Sequence, residues 1–187
     1  MSTRGVIGFH LNGQDKVSYN HADSYPSGLG KKIVQFIQNT RDQELLTIAT
    51  KIRLVSEDSH PTPHDIEKYL AYANRRVAGG NLNDWYVLLH QAQGYLDAYR
   101  NENFDVMVDY QTFLRDSTFC EWAYLINLDD GVLEIYAGGD GLKAGPGRYA
   151  SQCNEDDQFG VHLIRSFTLE EVRCLDAETF GEARWAA

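Results

Sequence analysis

The chain of 187 residues carries 17 basic and 27 acidic side chains, which give it a formal net charge of −10. Because phosphate backbones attract basic surfaces, this balance argues against direct binding to nucleic acid. The surplus of acid serves first to keep the protein soluble, and alternatively it forms a surface that binds a basic partner, including one that normally holds nucleic acid. Hydrophobic residues make up 43% of the chain, enough for one packed domain over residues 1–187, and no apolar run approaches the roughly 20 residues of a membrane-spanning helix.

The three cysteines, Cys120, Cys153 and Cys174, lie at scattered spacings. These spacings match neither a CxxC metal motif nor a disulfide framework, and they are typical of a reducing compartment. The sequence also lacks a charged start followed by an apolar segment, so it predicts no signal peptide. We therefore expect a cytoplasmic protein.

The N-terminal segment predicts a β-hairpin. The segment from Arg4 to Leu11 predicts a strand, and a return strand follows from Lys16 to Asn20. In the first strand one face carries Gly5, Ile7, Phe9 and Leu11, and the other carries Arg4, Val6, Gly8 and His10. Between the two strands, Asn12-Gly13 supplies the two residues of positive φ that a type I′ turn requires. This hairpin places Arg4 and His10 on the same face.

The middle of the chain predicts four helices, each with an apolar stripe at helical spacing. On the second, the stripe extends from Leu45 to Val55, and the fourth is the longest. We expect the four helices to run from about Lys31 to Gln38, from the capping box Thr40-x-x-Gln43 onward, from Thr62 with Pro63 at its first position, and from about Asp84 to Asn101.

The last third of the chain predicts strands again. Phe119 to Leu128 and Val132 to Ala137 form a second hairpin around Asp130-Gly131, and another strand spans about Val161 to Phe167. The capping box Thr168-x-x-Glu171 then opens a closing helix. Because short hairpin links cannot join parallel strands, we expect an α+β fold with an antiparallel sheet built from both hairpins and a central helical segment.

Residues 19–30 carry the densest polar chemistry of the chain, between a predicted strand and a predicted helix. A carboxylate such as Asp23 can fix the tautomer of a nearby histidine such as His21 and let it act as a base near neutral pH. Alternatively, Asp23 and Ser24 make turn hydrogen bonds only. The candidate site residues of this loop and the neighbouring strand are Arg4, Asn20, His21, Asp23 and Tyr25.

Gly28 and Gly30 precede the first predicted helix and are followed by Lys31 and Lys32. Free amides, the helix dipole and two lysines together are able to bind an anion, so both glycines are candidate binding residues. Alternatively, the glycines are needed only for a tight strand-to-helix turn. The spacing of a P-loop is missing.

Two other patterns resemble cofactor or metal motifs. Gly139-x-Gly141-x-x-Ala144 follows a strand, but Gly145-Pro146-Gly147 prevents the helix that a dinucleotide fingerprint must open. The segment from Gly138 to Tyr149 is then a surface loop or a flap over a ligand. His60 and His64 have metal-like spacing, but the intervening prolines keep them off one helical face and no third ligand is near. We therefore predict no cofactor and no metal.

Two blocks of the sequence resemble a family of uncharacterised phage and bacterial proteins. The resemblance covers both ends of the chain, brings no settled activity and implies a phage-encoded accessory role. The first block comprises Thr3-Arg4-Gly5, Gly8-Phe9, Tyr19-Asn20-His21, Asp23-Ser24-Tyr25-Pro26 and Gly28-Leu29-Gly30, and the second runs from Glu121-Trp122-Ala123-Tyr124 through Leu133-Glu134-Ile135-Tyr136.

The N-terminal segment is also similar to N-terminal-nucleophile amidohydrolases of the choloylglycine type. These begin with Cys-Thr-Arg after the initiator Met and close their hairpin with Arg-Asn-x-Asp. The similarity implies Ser2 as the nucleophile and Asp23 as the carboxylate, although serine replaces cysteine and Asn20 stands where the family has arginine. A retained Met1 would block the free amine that such a nucleophile needs as its base.

Two functional hypotheses follow. The first is an acidic binding protein, encoded by a phage, that acts as an accessory or anti-defence inhibitor on a basic host partner such as a CRISPR effector. The alternative is a small amidohydrolase that uses Ser2 with Asp23, or His21 as the base. The expected partner is a protein with a basic surface, with a small-molecule ligand as the second option and neither nucleic acid nor membrane bound directly.

Overall fold

The computed structural model describes residues 3–139, 145–153 and 159–182. These described residues contain seven strands, which form one five-stranded and one two-stranded sheet. They also contain six α-helices and several 3₁₀ and π-helical turns. The strands are β1 (Gly5–Leu11), β2 (Gln14–Asn20), β3 (Arg53–Val55), β4 (Val106–Val108), β5 (Trp122–Asn127), β6 (Val132–Ala137) and β7 (His162–Thr168). The α-helices are α1 (Lys31–Gln38), α2 (Asp42–Lys51), α3 (Pro63–Tyr69), α4 (Trp85–Leu88), α5 (Leu169–Cys174) and α6 (Ala177–Glu182).

The five-stranded sheet has the order β2-β1-β5-β6-β7, which confirms the α+β fold and both hairpins. The expectation of purely antiparallel pairing is wrong, because β1 and β5 run parallel, with Gly5 opposite Trp122 and His10 opposite Asn127. The short links fix the direction of pairing only within each hairpin. The long segment between the hairpins lets the chain return to the same end of the sheet, as a parallel pair requires.

The first hairpin turn has the predicted geometry, with φ of 53° at Asn12 and 73° at Gly13. The second turn differs from a type I′ turn. In the pair Asp130-Gly131, only Gly131 has a positive φ, which is 68°. The side chain of Asn127 explains the wider loop between β5 and β6. Its Oδ1 accepts hydrogen bonds from the amides of Asp129 and Asp130, at 3.1 Å each.

The five-stranded sheet separates two hydrophobic cores, as the alternation along β1 predicts. Ile7 and Phe9 pack in the larger core with the helices, whereas Val6 packs in the smaller core on the opposite face. Within the described residues, that opposite face is covered by segments around residues 110–120, 145–153 and 159–161. The smaller core consists of Val6, Val17, Leu114, Cys120, Ala123, Leu125, Tyr136, Tyr149 and Val161.

Several helix boundaries agree with the local signals. Helix α1 spans the predicted residues, and Thr62 and Thr168 cap α3 and α5 through complete capping boxes. The capping box predicted at Thr40 is wrong, because Arg41 is the residue that precedes α2. Thr40 instead donates a hydrogen bond from Oγ1 to the carbonyl of Phe36 at 2.5 Å, so it closes α1.

The prediction of a long fourth helix is also wrong. Helix α4 has only four residues, and 3₁₀ turns at His90–Ala92 and Leu96–Arg100 continue the chain. Between these turns Gly94 has a φ of 65°, and a Cβ there would lie 2.2 Å from Oδ1 of Asn20. Contact with the end of β2 therefore breaks the helical path. Of the apolar side expected for this helix, Tyr95 is exposed, whereas the other members are buried: Trp85, Leu88, Leu89, Leu96 and Tyr99.

The sequence analysis missed the small parallel sheet of β3 and β4, in which Arg53 pairs with Val106 and Val55 with Val108. Val55, predicted on the stripe of the second helix, belongs to β3. Three-residue strands carry too little periodicity to separate them from the end of a helix. No helix among the described residues is long and apolar enough to cross a bilayer.

The glycine-rich segment predicted from Gly138 to Tyr149 lies in part outside the described residues. Within the described part, Arg148 binds the sheet through both oxygens of Glu134, each at 2.7 Å from a guanidinium nitrogen. The Glu134 carboxylate is almost fully buried, and the Tyr136 hydroxyl also donates to it at 3.1 Å. A bidentate pair satisfied in this way fixes the position of residues 145–149 on the sheet.

Candidate functional site

The polar loop begins at Asn20, the last residue of β2, which pairs with Gly5 across the hairpin. Asn20 Nδ2 donates to the carbonyl of Ala22 at 2.5 Å and to Oγ of Ser24 at 2.7 Å. Its Oδ1 lies against Gly94, as described above. Both ends of this amide therefore contact the protein itself, and Asn20 stabilises the turn.

Ser24 anchors the loop to the sheet. It is fully buried, and its amide donates to the carbonyl of Thr3 at 3.2 Å. The hydroxyl of Tyr124, on β5, donates to the Ser24 carbonyl at 3.0 Å. Ser24 thus joins the loop to Thr3, two residues before β1, and to β5, the parallel neighbour of β1. The sequence analysis gave it only a turn hydrogen bond, because nothing in the local sequence predicts its burial.

Asp23 shapes the turn through its backbone. It has a φ of 56°, and its carbonyl accepts the amide of Leu29 at 3.0 Å. A Cβ on Gly28 would lie 2.2 Å from that same carbonyl, so the close approach requires glycine. The side chain of Asp23 is exposed to solvent. Its carboxylate is therefore accessible, while the turn depends on its main chain.

The amides considered for anion binding are used inside the loop. Residues Pro26–Gly30 form one π-helical turn, in which Gly28 and Gly30 donate to the carbonyl of Tyr25 at 2.9 and 3.2 Å. The amide of Lys31 donates to carbonyls of the same turn, and its side chain pairs with Glu178. This geometry favours the structural interpretation of the two glycines.

Arg4 and His21, two of the predicted site residues, meet at a third residue, Tyr19. The Tyr19 hydroxyl lies 3.1 Å from Nδ1 of His21, and the charge of the Arg4 guanidinium acts on the same hydroxyl by lowering its pKa against the larger rise that burial causes. Arg4 also lies over the ring of Phe119, 4.7 Å from its centroid. Tyr25 is 45% exposed and directly precedes the π-helical turn. Ser2 lies outside the described residues.

Tyr19 is the centre of a surface cluster that we call the aromatic patch, formed by Tyr19, Tyr110, Phe113 and Phe119 with Arg4. The ring centroids of Tyr110 and Phe113 lie 5.4 and 5.5 Å from that of Tyr19. Phe119 is 46% exposed, whereas phenylalanine side chains are most often buried. The patch was not predicted from the sequence, because its members come from the residue before β1, from β2 and from the segment after β4.

Four carboxylates border the aromatic patch, and neutral groups donate to each of them. Glu57 accepts from the Tyr110 hydroxyl at 3.1 Å, and Glu121 from the Arg4 amide at 3.3 Å. Asp109 and Asp116 accept from backbone amides nearby, at 3.0 and 3.2 Å. None of the four belongs to the ion pairs of the described residues. We call them the acidic rim.

His90 lies beside this region, packed edge-on against Tyr86 with the ring centroids 5.0 Å apart. Its Nδ1 is buried and has no hydrogen-bond partner among the described residues. Burial, and then the proximity of His21, lower the pKa of His90. Burial also raises the pKa of Tyr19, which the nearby Arg4 only partly opposes. Both rings are therefore neutral at neutral pH.

The described residues contain no group of three or more His, Cys, Asp or Glu side chains placed to hold a metal ion. All three cysteines are free, and Cys120 is buried in the smaller core, where burial raises the pKa of its thiol. A buried thiol of raised pKa is a poor nucleophile, because the thiolate is the reactive form.

Comparisons with protein-family models, with curated proteins and with solved structures find no match for this chain. The two family resemblances given under Sequence analysis therefore stay predictions.

The hydrogen bonds that anchor the loop predict different effects on stability for substitutions at the neighbouring residues Ser24 and Asp23. Ser24→Ala should lower the free energy of unfolding by about 1–2 kcal/mol, because Asn20 loses a buried hydrogen-bond acceptor. Asp23→Asn should change it by less than about 0.5 kcal/mol, since asparagine also tolerates positive φ and the side chain is exposed. Urea denaturation measures both values. A larger loss in Asp23→Asn than in Ser24→Ala would contradict this assignment.

The partly buried imidazole of His90 predicts that the stability of the protein depends on pH. Because its pKa is lower in the folded protein, the unfolded chain binds a proton first as the pH falls, and stability then decreases. His90→Gln should therefore lose less stability than the wild type between about pH 7.5 and about pH 5.5, measured by urea denaturation. The exposed His64 supplies the control, and His64→Gln should behave like the wild type. An unchanged pH dependence in His90→Gln would refute the prediction.

Proposed function

We propose that the protein is an acidic binding protein whose aromatic patch contacts a basic surface of a protein partner. The observation that carries this proposal is the combination of partly exposed aromatic rings with a rim of carboxylates that form no ion pair within the described residues. The centres of protein interfaces are enriched in tyrosine, phenylalanine and arginine, and their rims are polar. An acidic rim speeds the approach of a basic partner and fixes its orientation.

The distribution of charge supports a basic partner. Six of the 15 Lys and Arg side chains of the described residues are paired within the protein, so these six do not offset the acidic rim. The pairs are Lys31 with Glu178, Arg53 with Asp65, Lys68 with Asp105, Arg100 with Glu44 and Asp97, Arg148 with Glu134, and Arg173 with Asp42. The net charge of −10 therefore resides largely in acids outside these pairs, including the rim.

The partner class follows from the same chemistry. Proteins that hold nucleic acid carry basic channels for the phosphates, and an RNA-guided nuclease is one example. An acidic surface with aromatic rings is suited to occupy such a channel and to exclude the nucleic acid. Together with the resemblance to phage and bacterial proteins, this supports a phage-encoded inhibitor of a host defence protein such as a CRISPR effector.

The test measures how tightly two triple variants bind a purified Cas9-type effector. Each variant removes three negative charges. Glu57→Gln, Asp109→Asn and Glu121→Gln together remove three rim charges. At about 0.5 kcal/mol for each charge, the dissociation constant should rise about tenfold. Biolayer interferometry from about 0.05 M to about 0.5 M salt should also show a weaker salt dependence in this variant.

The matched control removes three exposed acids away from the rim, through Glu67→Gln, Glu102→Gln and Glu170→Gln. It should bind within about twofold of the wild type, because these charges lie away from the contact. Equal loss of binding in both triple variants would show that net charge acts without a defined surface. Absence of binding to the effector at low salt would refute this partner class.

The alternative function, an amidohydrolase using Ser2 and Asp23, is favoured by one contact. The hydrogen bond from the Ser24 amide to the Thr3 carbonyl holds the polar loop beside the residue that follows Ser2. This is the proximity that a nucleophile near the start of β1 and a carboxylate in the loop require. His21 does not take part in that contact and pairs with Tyr19.

The amidohydrolase is tested with an N-acyl glycine as the probe substrate. If this function is correct, protein lacking Met1 by intact mass should hydrolyse the amide, and Ser2→Ala should abolish the activity because the nucleophile is lost. Asp23→Asn should do the same without loss of stability. Activity that survives Ser2→Ala, or no activity in protein lacking Met1, would refute this function.

A further inference from the structure

A cavity of about 440 Å³ opens between α1 and the chain that follows Gly94. Lys32, Gln35, Phe36 and Asn39 form its first wall, and their spacing of three or four residues puts them on one face of α1. Tyr95 belongs to the opposite wall. A volume of this size lies in the range of small-molecule sites, about 300–1,000 Å³.

Arg100 holds the two walls of the cavity in place. Its guanidinium donates to the carbonyls of Phe36 and Asn39 on α1, at 3.3 and 3.2 Å, and to Oδ1 of Asp97 on the opposite wall at 2.7 Å. The close contact of Gly94 with Asn20 fixes that second wall from behind. A cavity tied on both sides is formed before any ligand arrives, which lowers the entropic cost of binding.

The two charged side chains that line the cavity, Lys32 and Asp97, differ in their ion pairing within the described residues. Asp97 is paired with Arg100, and the neighbouring Lys31 is paired with Glu178. Lys32 is exposed and takes part in none of the ion pairs of the described residues. The cavity therefore offers one ammonium group for an anion in an otherwise acidic protein.

The remaining lining combines an aromatic ring with an amide. Tyr95 is 51% exposed, so a flat ligand can stack on its ring at the mouth of the cavity. The side-chain amide of Gln35 supplies further hydrogen-bonding groups. We propose that this cavity binds a small free carboxylic acid with a flat apolar body, its carboxylate at Lys32 and its body against Tyr95. This site is distinct from the aromatic patch and independent of the proposed function.

Benzoate serves as the probe, and benzamide is the uncharged molecule of the same shape. In a ¹H–¹⁵N NMR titration, benzoate should shift amides of residues 32–39 and 94–97 with a dissociation constant on the order of 1 mM. Lys32→Met should weaken benzoate binding about fivefold, and benzamide should bind the wild type about fivefold more weakly than benzoate, because each change removes one exposed charge pair.

Lys31→Met is the matched control, because it removes a neighbouring lysine whose charge is already paired, and it should bind benzoate like the wild type. Tyr95→Ala, an exposed position that should not disturb folding, should weaken benzoate and benzamide alike. Three results would each overturn the proposal: no saturable shift near the cavity, equal binding of benzoate and benzamide, or equal weakening by Lys31→Met and Lys32→Met.

Discussion

The parallel pairing of β1 with β5 is the contact on which the rest of the structure depends. It joins two hairpins that are distant in sequence into one sheet and sets the loop after β2 beside the segment that leads into β5. Tyr124 can then donate to the carbonyl of Ser24, and Arg4 can lie over Phe119. Both the anchored loop and the aromatic patch therefore require this one ladder of hydrogen bonds.

The polar loop uses most of its chemistry for its own conformation. Asn20 and Ser24 bind each other and their neighbours, and the carbonyl of Asp23 holds the amide of Leu29. Many of the polar groups in this loop are therefore explained as hydrogen-bond partners for one another and for its backbone. His21 differs from these residues, because its ring reaches Tyr19 and so joins the loop to the aromatic patch.

Elements set by neighbouring residues were predictable from the sequence. The turn at Asn12-Gly13, helix α1 and the capping boxes at Thr62 and Thr168 all depend on residues within one or two turns of the chain. Features set by distant contacts were not. The break at Gly94 depends on Asn20, and the aromatic patch gathers residues from separate segments. Local periodicity carries no information about which distant segments meet.

The direction of the β1–β5 pair can be measured in solution by NMR. Backbone cross-strand contacts should join Val6 to the region of Ala123, and His10 to the region of Asn127 and Leu128, so that contacts advance in the same direction along both strands. That result is the one our account predicts. Contacts that run in opposite directions, or none between these strands, would contradict it and would separate the loop from the aromatic patch.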